Sequence, residues 1–394
     1  MNLCIVLNYL QIKMQIGIDA SNIGLGGGVT HLIEILSHFP LNEEIDKVIV
    51  FASEKVLNQL PDAEFINKIT FPAFNKRLIN RVLFQIFVYD KHIKKHCDIL
   101  FSVTGDYMGK FKPLIGMSRN MLLYERDIWR DIKQPKEIIR FWLNYHKQKR
   151  CFKNANGIIF ISQYARDFIS KKLNLRNKHV VVIHHGISPR FQAEVKNQLP
   201  IKNYSTENTF KLLYVSTVHV YKHQWNVVKA IDRLRKKGFP LELDLVGGII
   251  FKPAGEKLNN AIMQTDPQNE FIHYYDHVSY NQIDKFYKNA NGFVYASTCE
   301  NMPNILIESM ASGLPIVCSN KQPMPEFLGK NGFYFNAKSV DSIVEAIEKM
   351  LLNPTERYNT TSNNQKVVKK YSWELTAKKT FSFIKEIYTQ HYDI

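Results

Sequence analysis

The sequence predicts an α/β protein of two domains, each built on a wound parallel sheet, and three observations carry that expectation. At 394 residues the chain is long for a single hydrophobic core. Strand-length apolar runs alternate with helix-length amphipathic segments in both halves, the rhythm of strands joined by crossover helices. Between the halves lies a polar stretch, 192–208, that fits a linker.

Composition narrows the class. With 45% hydrophobic and 22% charged residues the chain reads as an ordinary globular protein. The 52 Lys and Arg outweigh 36 Asp and Glu, and a formal charge of +16 favours nucleic acid, an anionic membrane face or phosphorylated substrates. No arginine-rich run and no zinc-like Cys/His spacing supports nucleic acid. The 5 cysteines, Cys4, Cys97, Cys151, Cys299 and Cys318, are scattered and odd in number, which fits a reducing compartment. No apolar run approaches the roughly 20 residues that span a bilayer. Residues 1–11 are apolar without the basic start or cleavage site of a signal peptide, and read as an upstream start before Met14. The expectation is a cytoplasmic protein, held by charge at the inner membrane face.

In the first half, 14–20 is the first strand, 21–28 a loop ending in Gly26-Gly27-Gly28, and the run from Val29 to Leu36 a helix. Strand, glycine loop and helix form a phosphate-friendly unit, because the amides of a helix start attract anions. The glycines lack the G-x-G-x-x-G spacing, so a plain tight turn stands beside that reading. Residues 47–52 read as a strand and 53–60 as a helix, and 99–103 and 114–116 continue the alternation. Two stretches are aromatic and basic. One holds Phe74, Lys76, Arg77, Arg81, Phe84, Phe87, Tyr89, Lys91, Lys94 and Lys95. The other, 129–152, holds Arg130, Lys133, Lys136, Arg140, Trp142, Lys147, Lys149 and Arg150. Both fit helices lying on anionic lipid, and both fit core-facing helices with a solvated basic side. A strand at 157–162 leads to a helix that Ser162 can cap, and a strand at 180–183 ends at His184-His185-Gly186.

The second half opens with a strand at 210–216 that runs into Thr217 and, past Lys222 and His223, an amphipathic helix to 237. Strands follow at 241–246, with Gly247-Gly248 directly after, and at 271–275, then a helix at 280–289. The strand at 292–296 enters the most informative stretch, 297–315. Pro303 suits the first helical position, Gly313 a left-handed exit, and Pro315 prevents continuation. Ile305, Leu306, Ile307, Met310 and Ala311 are apolar on more than one face, so this helix is expected to be buried. Glu308 sits among them, and a buried carboxylate needs donors. Glu300 lies in the preceding loop, and the amides of Asn304 and Ile305 offer a phosphate site. A nucleotide diphosphate sugar meets all three features, with ribose hydroxyls on Glu308, diphosphate at the helix start and sugar hydroxyls on Glu300. The plain alternative is a surface glutamate plus a helix glutamate held by a lysine. Beyond lie a strand at 315–319, Glu326 in a loop, a strand at 332–335, a helix at 340–352 and a last helix to about residue 388.

Glu300-x7-Glu308, followed by Ser-Met-Ala-Ser-Gly-Leu-Pro-Ile-Val, closely resembles the signature of the retaining glycosyltransferases of family 4. The order of elements resembles their GT-B fold along nearly the whole chain. That resemblance implies two Rossmann-like domains across a cleft, with the last helix crossing back onto the first. Residues 1–200, completed by 375–394, would be the acceptor domain and 205–374 the nucleotide-sugar domain.

The resemblance also implies roles. Glu300 touches the transferred sugar and Glu308 the ribose diol, while Lys222 is the principal cation on the diphosphate. Thr217 stands where the family often has an arginine, leaving His219 or His223 to supply the missing positive or hydrogen-bonding group. The backbone of Asn301, Met302, Pro303, Asn304 and Ile305 holds sugar hydroxyls and phosphate. Gly27 and Gly28 approach from across the cleft. Gly247 and Tyr274 sit at strand ends where the base is expected. Arg119 and Asn120 stand where relatives carry a histidine loop near the reacting carbon, and a surface loop without a role is the alternative. The family implies retention, no catalytic metal and no bound cofactor, the donor being a UDP- or GDP-sugar. The acceptor would be a glycan or polyprenyl-diphosphate-linked glycan in O-antigen or capsule synthesis. A GT-B sugar-nucleotide epimerase and a basic nucleic-acid-binding protein are the alternatives.

Overall fold

A computed structural model describes residues 13–24, 26–40, 45–75 and 78–393. The expected upstream start at 1–11, Cys4, Leu25 of the glycine loop, and Lys76 and Arg77 of the first basic stretch lie outside the described residues.

The first domain runs β1 (Met14–Asp19), α1 (Gly27–Ser37), β2 (Ile45–Phe51), α2 (Glu54–Leu57), β3 (Ile66–Ile69), α3 (Leu78–Phe87) and α4 (Tyr89–His96). It continues with β4 (Ile99–Ser102), β5 (Leu114–Ser118), α5 (Arg126–Ile132), α6 (Pro135–Asn154), β6 (Gly157–Phe160), α7 (Gln163–Leu173) and β7 (His179–Val182). The second runs β8 (Phe210–Val215), α8 (Gln224–Lys236), β9 (Leu241–Val246), α9 (Lys252–Thr265), β10 (Ile272–Tyr275), α10 (Ile283–Asn289) and β11 (Gly292–Tyr295). After it come α11 (Asn304–Ala311), β12 (Ile316–Ser319), α12 (Met324–Leu328), β13 (Phe333–Phe335), α13 (Val340–Leu352), α14 (Pro354–Val368) and α15 (Trp373–Tyr392).

Both sheets are parallel throughout, in the orders β3-β2-β1-β4-β5-β6-β7 and β10-β9-β8-β11-β12-β13. Central strands such as β4, β6, β11 and β12 are buried along their whole length, as parallel strands covered on both faces must be. Each sheet reverses direction of growth at one point, between β1 and β4 in the first and between β8 and β11 in the second. Loops leaving the carboxyl ends of strands beside such a reversal diverge and leave a crevice.

The segment between the domains is irregular but pinned to the second domain. The Lys196 ammonium reaches the Ala290 carbonyl at 2.6 Å, and the Ala193 amide donates to the Ala311 carbonyl at 3.1 Å. The last helix, α15, leaves the second domain and packs on the first. Phe381 stands edge-on to Phe39 at 4.6 Å, and Tyr392 donates to the Asp98 carbonyl at 3.2 Å. Two glycines hold this return path. Gly313 exits α11 at φ 67°, the left-handed region expected for it. Gly186 lies against the start of α15, where an added Cβ would stand 2.1 Å from the Trp373 amide nitrogen.

Sequence periodicity places most elements within a few residues. Helix α1 begins at Gly27, two residues inside the expected loop. The second basic stretch is two helices, α5 and α6, and 280–289 is a 3-10 turn followed by α10. Glu326 lies in the short helix α12, not in a loop.

Because the Gly186 clash is with backbone, it cannot be relieved by a rotamer change. Gly186→Ala is expected to destabilise the protein by about 1–3 kcal/mol, the range for overpacking a tight site. A thermal melt reads it, and a midpoint equal to wild type would show that the α15 start is free to move.

Candidate functional site

Helix α11 follows β11 at the reversal point of the second sheet and carries the site's unusual carboxylate. Its apolar residues are buried, and Glu308 among them is only 7% exposed. No lysine meets it. Its oxygens accept from the hydroxyls of Tyr287 at 3.2 Å and Tyr280 at 3.3 Å. Burial pushes its carboxyl up to about 7, against the opposing pull of the two tyrosine hydrogen bonds and of Arg190.

Glu308 opens into a cavity of about 450 Å³ between the two domains. Val215–Thr217 and Val246–Gly248, at the carboxyl ends of β8 and β9, form one wall with Met302, Asn304 and Ile305 of the α11 entry. Gly26, Gly27 and Thr30 at the start of α1 face them from the first domain. Of the residues expected to bind a donor, the structure therefore gathers Gly27, Thr217, Gly247, Met302, Asn304, Ile305 and Glu308 around one space. Tyr274 sits just behind, its hydroxyl donating to the Gly247 carbonyl at 3.1 Å.

Three further residues of this region have no role in the sequence reading. His31 of α1, His185 after β7 and Trp373 of α15 form an aromatic group, with His185 stacked on Trp373 at 5.5 Å and tilted against His31 at 4.8 Å. Trp373 lines the cavity, and His185 Nδ1 lies 3.3 Å from the Asn304 side-chain oxygen. Burial first, then neighbouring positive groups, holds both histidines neutral, with His185 down at about 3. Both ring nitrogens of His31 and the Nε2 of His185 are buried without a partner. The doublet His184-His185 before a glycine was the available signal.

Glu300 and Lys222 are brought together, but with each other. They form a largely buried ion pair, and the Lys222 ammonium also donates to the Tyr295 hydroxyl at 3.0 Å. Tyr295 and Ser297 donate to the same carboxylate oxygen, Oε1, at 2.6 Å and 2.5 Å. Among the described residues no donor meets Glu300 Oε2.

Several expected roles are corrected. Neither His219 nor His223 supplies a positive charge. Burial, then nearby lysines, lowers each to about 4. His219 stacks on Phe251, and His223 bonds Thr298 Oγ1 at 3.0 Å and faces a different cavity. Pro303 precedes α11 as its cap residue instead of opening it. The Asn304 amide is turned back to the Met302 carbonyl at 3.0 Å, which leaves the Ile305 amide as the one in this turn with no protein acceptor among the described residues. The Asn301 side chain bridges the domains, donating to the Ser118 carbonyl at 3.2 Å and accepting from Ser162 Oγ at 3.3 Å. Asn120 caps a 3-10 turn by accepting from the Leu122 amide at 2.9 Å. Arg119 donates to the Gly27 carbonyl at 2.5 Å and packs against Gly28, and burial lowers it to about 10. Arg119 thus braces the glycine turn, and Asn120 its own 3-10 turn.

The folded protein holds the Glu308 proton to higher pH than the unfolded chain. Its stabilising effect is complete below the ordinary carboxylate range and is lost as pH rises from 4.5 through about 7. Glu308→Gln is therefore expected to be more stable than wild type at pH 8, by on the order of 1–3 kcal/mol, with the difference vanishing at pH 4. Melting curves across that range check it, and a pH-independent difference would contradict the buried-carboxyl assignment.

Comparison with known proteins agrees with this geometry. Residues 195–367 match the family described as glycosyl transferases group 1. O-antigen chain mannosyltransferase B of Escherichia coli is 23% identical over 379 residues, covering 90% of this chain and 94% of that protein. The capsular polysaccharide biosynthesis glycosyltransferase CapM of Staphylococcus aureus is 26% identical over 63% of this chain and 67% of its own. Among solved structures, HepE of Anabaena in complex with UDP superposes with a TM-score of 0.69 at 15% identity, over 95% of this chain and 100% of that one. The chain has the GT-B fold: two Rossmann-like domains facing one another across a cleft, closed by a C-terminal helix that returns to the first.

Proposed function

We propose that the protein is a glycosyltransferase that moves a sugar, with retention, from a nucleotide diphosphate sugar to a glycan or lipid-linked glycan during surface polysaccharide synthesis. The observation that carries this reading is the buried Glu308 carboxylate on a helix whose entry faces an interdomain cavity. Glu308 accepts from the ribose diol, whose hydroxyls replace the tyrosines as partners. The diphosphate lies between the Ile305 amide and the α1 start, where helix N–H dipoles favour negative charge. An ammonium has three donors, and Tyr295 and Glu300 take two from Lys222. The third is left for the diphosphate. Glu300, anchored through Oε1, presents Oε2 to a hydroxyl of the transferred sugar.

In the transfer the bond from the sugar's anomeric carbon to the diphosphate oxygen breaks, and its electron pair leaves on the nucleotide diphosphate. The acceptor oxygen bonds to that carbon, and its proton passes to the departing diphosphate. Pre-oriented donors stabilise the charge growing on that group. The cations are side chains in this reading, so no catalytic metal is invoked. The relatives named for O-antigen and capsule synthesis support the substrate class.

The surface also fits an anionic bilayer. Ile139, Trp142 and Leu143 on one face of α6 are 57%, 50% and 44% exposed, and Phe87 at the end of α3 is 70% exposed. The same helix α6 carries Lys136, Arg140, Lys149 and Arg150, and α4, which follows Phe87 in sequence, carries Lys91, Lys94 and Lys95. Aromatic anchors set among basic residues suit an anionic lipid surface. No described helix is long and apolar enough to cross a membrane.

Thermal shift with UDP-, GDP- and ADP-sugars is expected to find one nucleotide class that stabilises wild type and not Glu308→Ala. Glu300→Ala should lower kcat at least 100-fold while leaving nucleotide affinity within a few-fold. Stabilisation by no nucleotide, or equal losses in both quantities, would overturn the assignment. Co-sedimentation with vesicles containing phosphatidylglycerol, but not with pure phosphatidylcholine, is expected, and Trp142→Ala/Phe87→Ala should weaken it. Equal binding to both vesicle types would refute the charged-membrane reading.

A further inference from the structure

A second interdomain cavity, of about 440 Å³, stands next to the proposed reaction centre. The segment 298–302 runs from one cavity to the other, since Thr298 lines the second and Met302 the first. Glu300 lies between them. Whatever occupies the second cavity is therefore placed beside the carboxylate assigned to the transferred sugar.

Its lining is unusual for a packing defect. Glu125, at the start of α5, is only 7% exposed. Its Oε1 accepts from the Tyr164 hydroxyl at 2.8 Å, whereas Oε2 faces Lys321 Nζ at 3.8 Å, too far for a hydrogen bond. One oxygen of a buried carboxylate is thus left without a hydrogen-bond donor among the described residues, toward a hollow large enough for a sugar ring. Burial first, then Lys321 and Tyr164 opposing it and Glu300 and Asp127 adding to it, raises its carboxyl above the usual range.

The same cavity holds Arg126 and Lys172. Neither has a carboxylate within ion-pair distance among the described residues, and Arg126 instead lies over the rings of Trp129 and Tyr145 at 5.9 and 5.8 Å. Partial burial and repulsion from Arg126 both lower Lys172. Lys172 donates to the Tyr124 carbonyl, and Arg126, Lys172, Lys321 and Lys338 outnumber the carboxylates Glu125 and Asp127 on the same lining, an excess that an anion would relieve.

We infer that this cavity is the acceptor subsite, and that the acceptor is a saccharide carrying an anionic group, phosphate or carboxylate. Glu125 Oε2 accepts from a hydroxyl of that saccharide, and Arg126 and Lys172 hold its anion. The inference rests on the donor reading of the first cavity and adds the chemical class of the second substrate.

Saturation-transfer NMR with glucose 1-phosphate, glucuronic acid and glucose as probes tests it, alongside a separate titration with UDP and GDP. Both charged sugars, or one of them, should bind at least fivefold more tightly than glucose, and which does so separates phosphate from carboxylate. Arg126→Ala/Lys172→Ala should abolish the preference, and Glu125→Gln should weaken all three probes, with Glu308→Ala having no effect. Both cations are exposed, so the double variant should fold, and its melting curve verifies that. A charged sugar that binds no better than glucose, that survives the double variant, or that UDP or GDP displaces would overturn the inference. Failure of UDP and GDP to bind at all, with charged-sugar binding intact, would refute the donor reading and leave a free-standing saccharide site.

Discussion

The arrangement depends on one carboxylate kept out of water. An ionised carboxyl in an apolar setting loses its hydration, and two tyrosine hydroxyls at 3.2 and 3.3 Å return only part of what is lost. Glu308 accordingly sits in the free protein with its carboxyl raised to about 7. A leucine would pack α11 as well at no such cost, and in the proposed function a ligand entering the cavity offsets it. The surroundings conform to that one residue. Gly313 lets the chain leave the helix sharply, Tyr280 just before α10 and Tyr287 on it reach in, and the β8 and β9 ends supply the opposite wall.

Elsewhere the domains meet through polar contacts. Both oxygens of Glu326 accept from the first amides of α7, Gln163 at 2.7 Å and Tyr164 at 2.8 Å, so a carboxylate of one domain caps a helix of the other. Against the effect of burial, the His184 side chain and then those amides hold its carboxyl below the usual range. Asn301 crosses to Ser118 and Ser162, and Lys338 to Asp131 at 3.3 Å. Polar groups of this kind can take water as a partner instead, so the domains can part at small cost. The apolar attachment is elsewhere, where α15 lies on the first sheet with Ile387 and Phe383 against Gly157. A greasy strap with a polar seam lets the domains part without separating.

Much of this was legible in the residues, and the exceptions have physical reasons. Strands buried on both faces announce themselves as apolar runs, and so does a carboxylate within one, which is how α11 and Glu308 were found. Helix α14 has no apolar stripe, because its inward face is Arg357, Thr360, Thr361 and Asn364, each making hydrogen bonds to the chain. Edge strand β3 is short and interrupted by Asn67 and Lys68. Local spacing could suggest that Lys222 and Glu300 act in one site. It could not show that they pair, since 78 residues separate them and only the β8–β11 adjacency joins them. For His219 and His223 the residues leave charge and hydrogen bonding equally open, and burial against the distant Phe251 and Thr298 decides against charge. Glu125 escaped notice because a lone glutamate before a basic helix looks solvated.

The most direct measurement is the titration of Glu308 itself, by carbon-13 NMR of glutamate-labelled protein with Glu308→Gln to assign the resonance. The free protein should show a side-chain carboxyl titrating near 7. When the stabilising nucleotide is bound, two ribose hydroxyls donating to the charged form should pull it down by at least one unit. An unchanged midpoint on saturation would mean that the nucleotide lies elsewhere, and the role given to the buried carboxylate would be wrong.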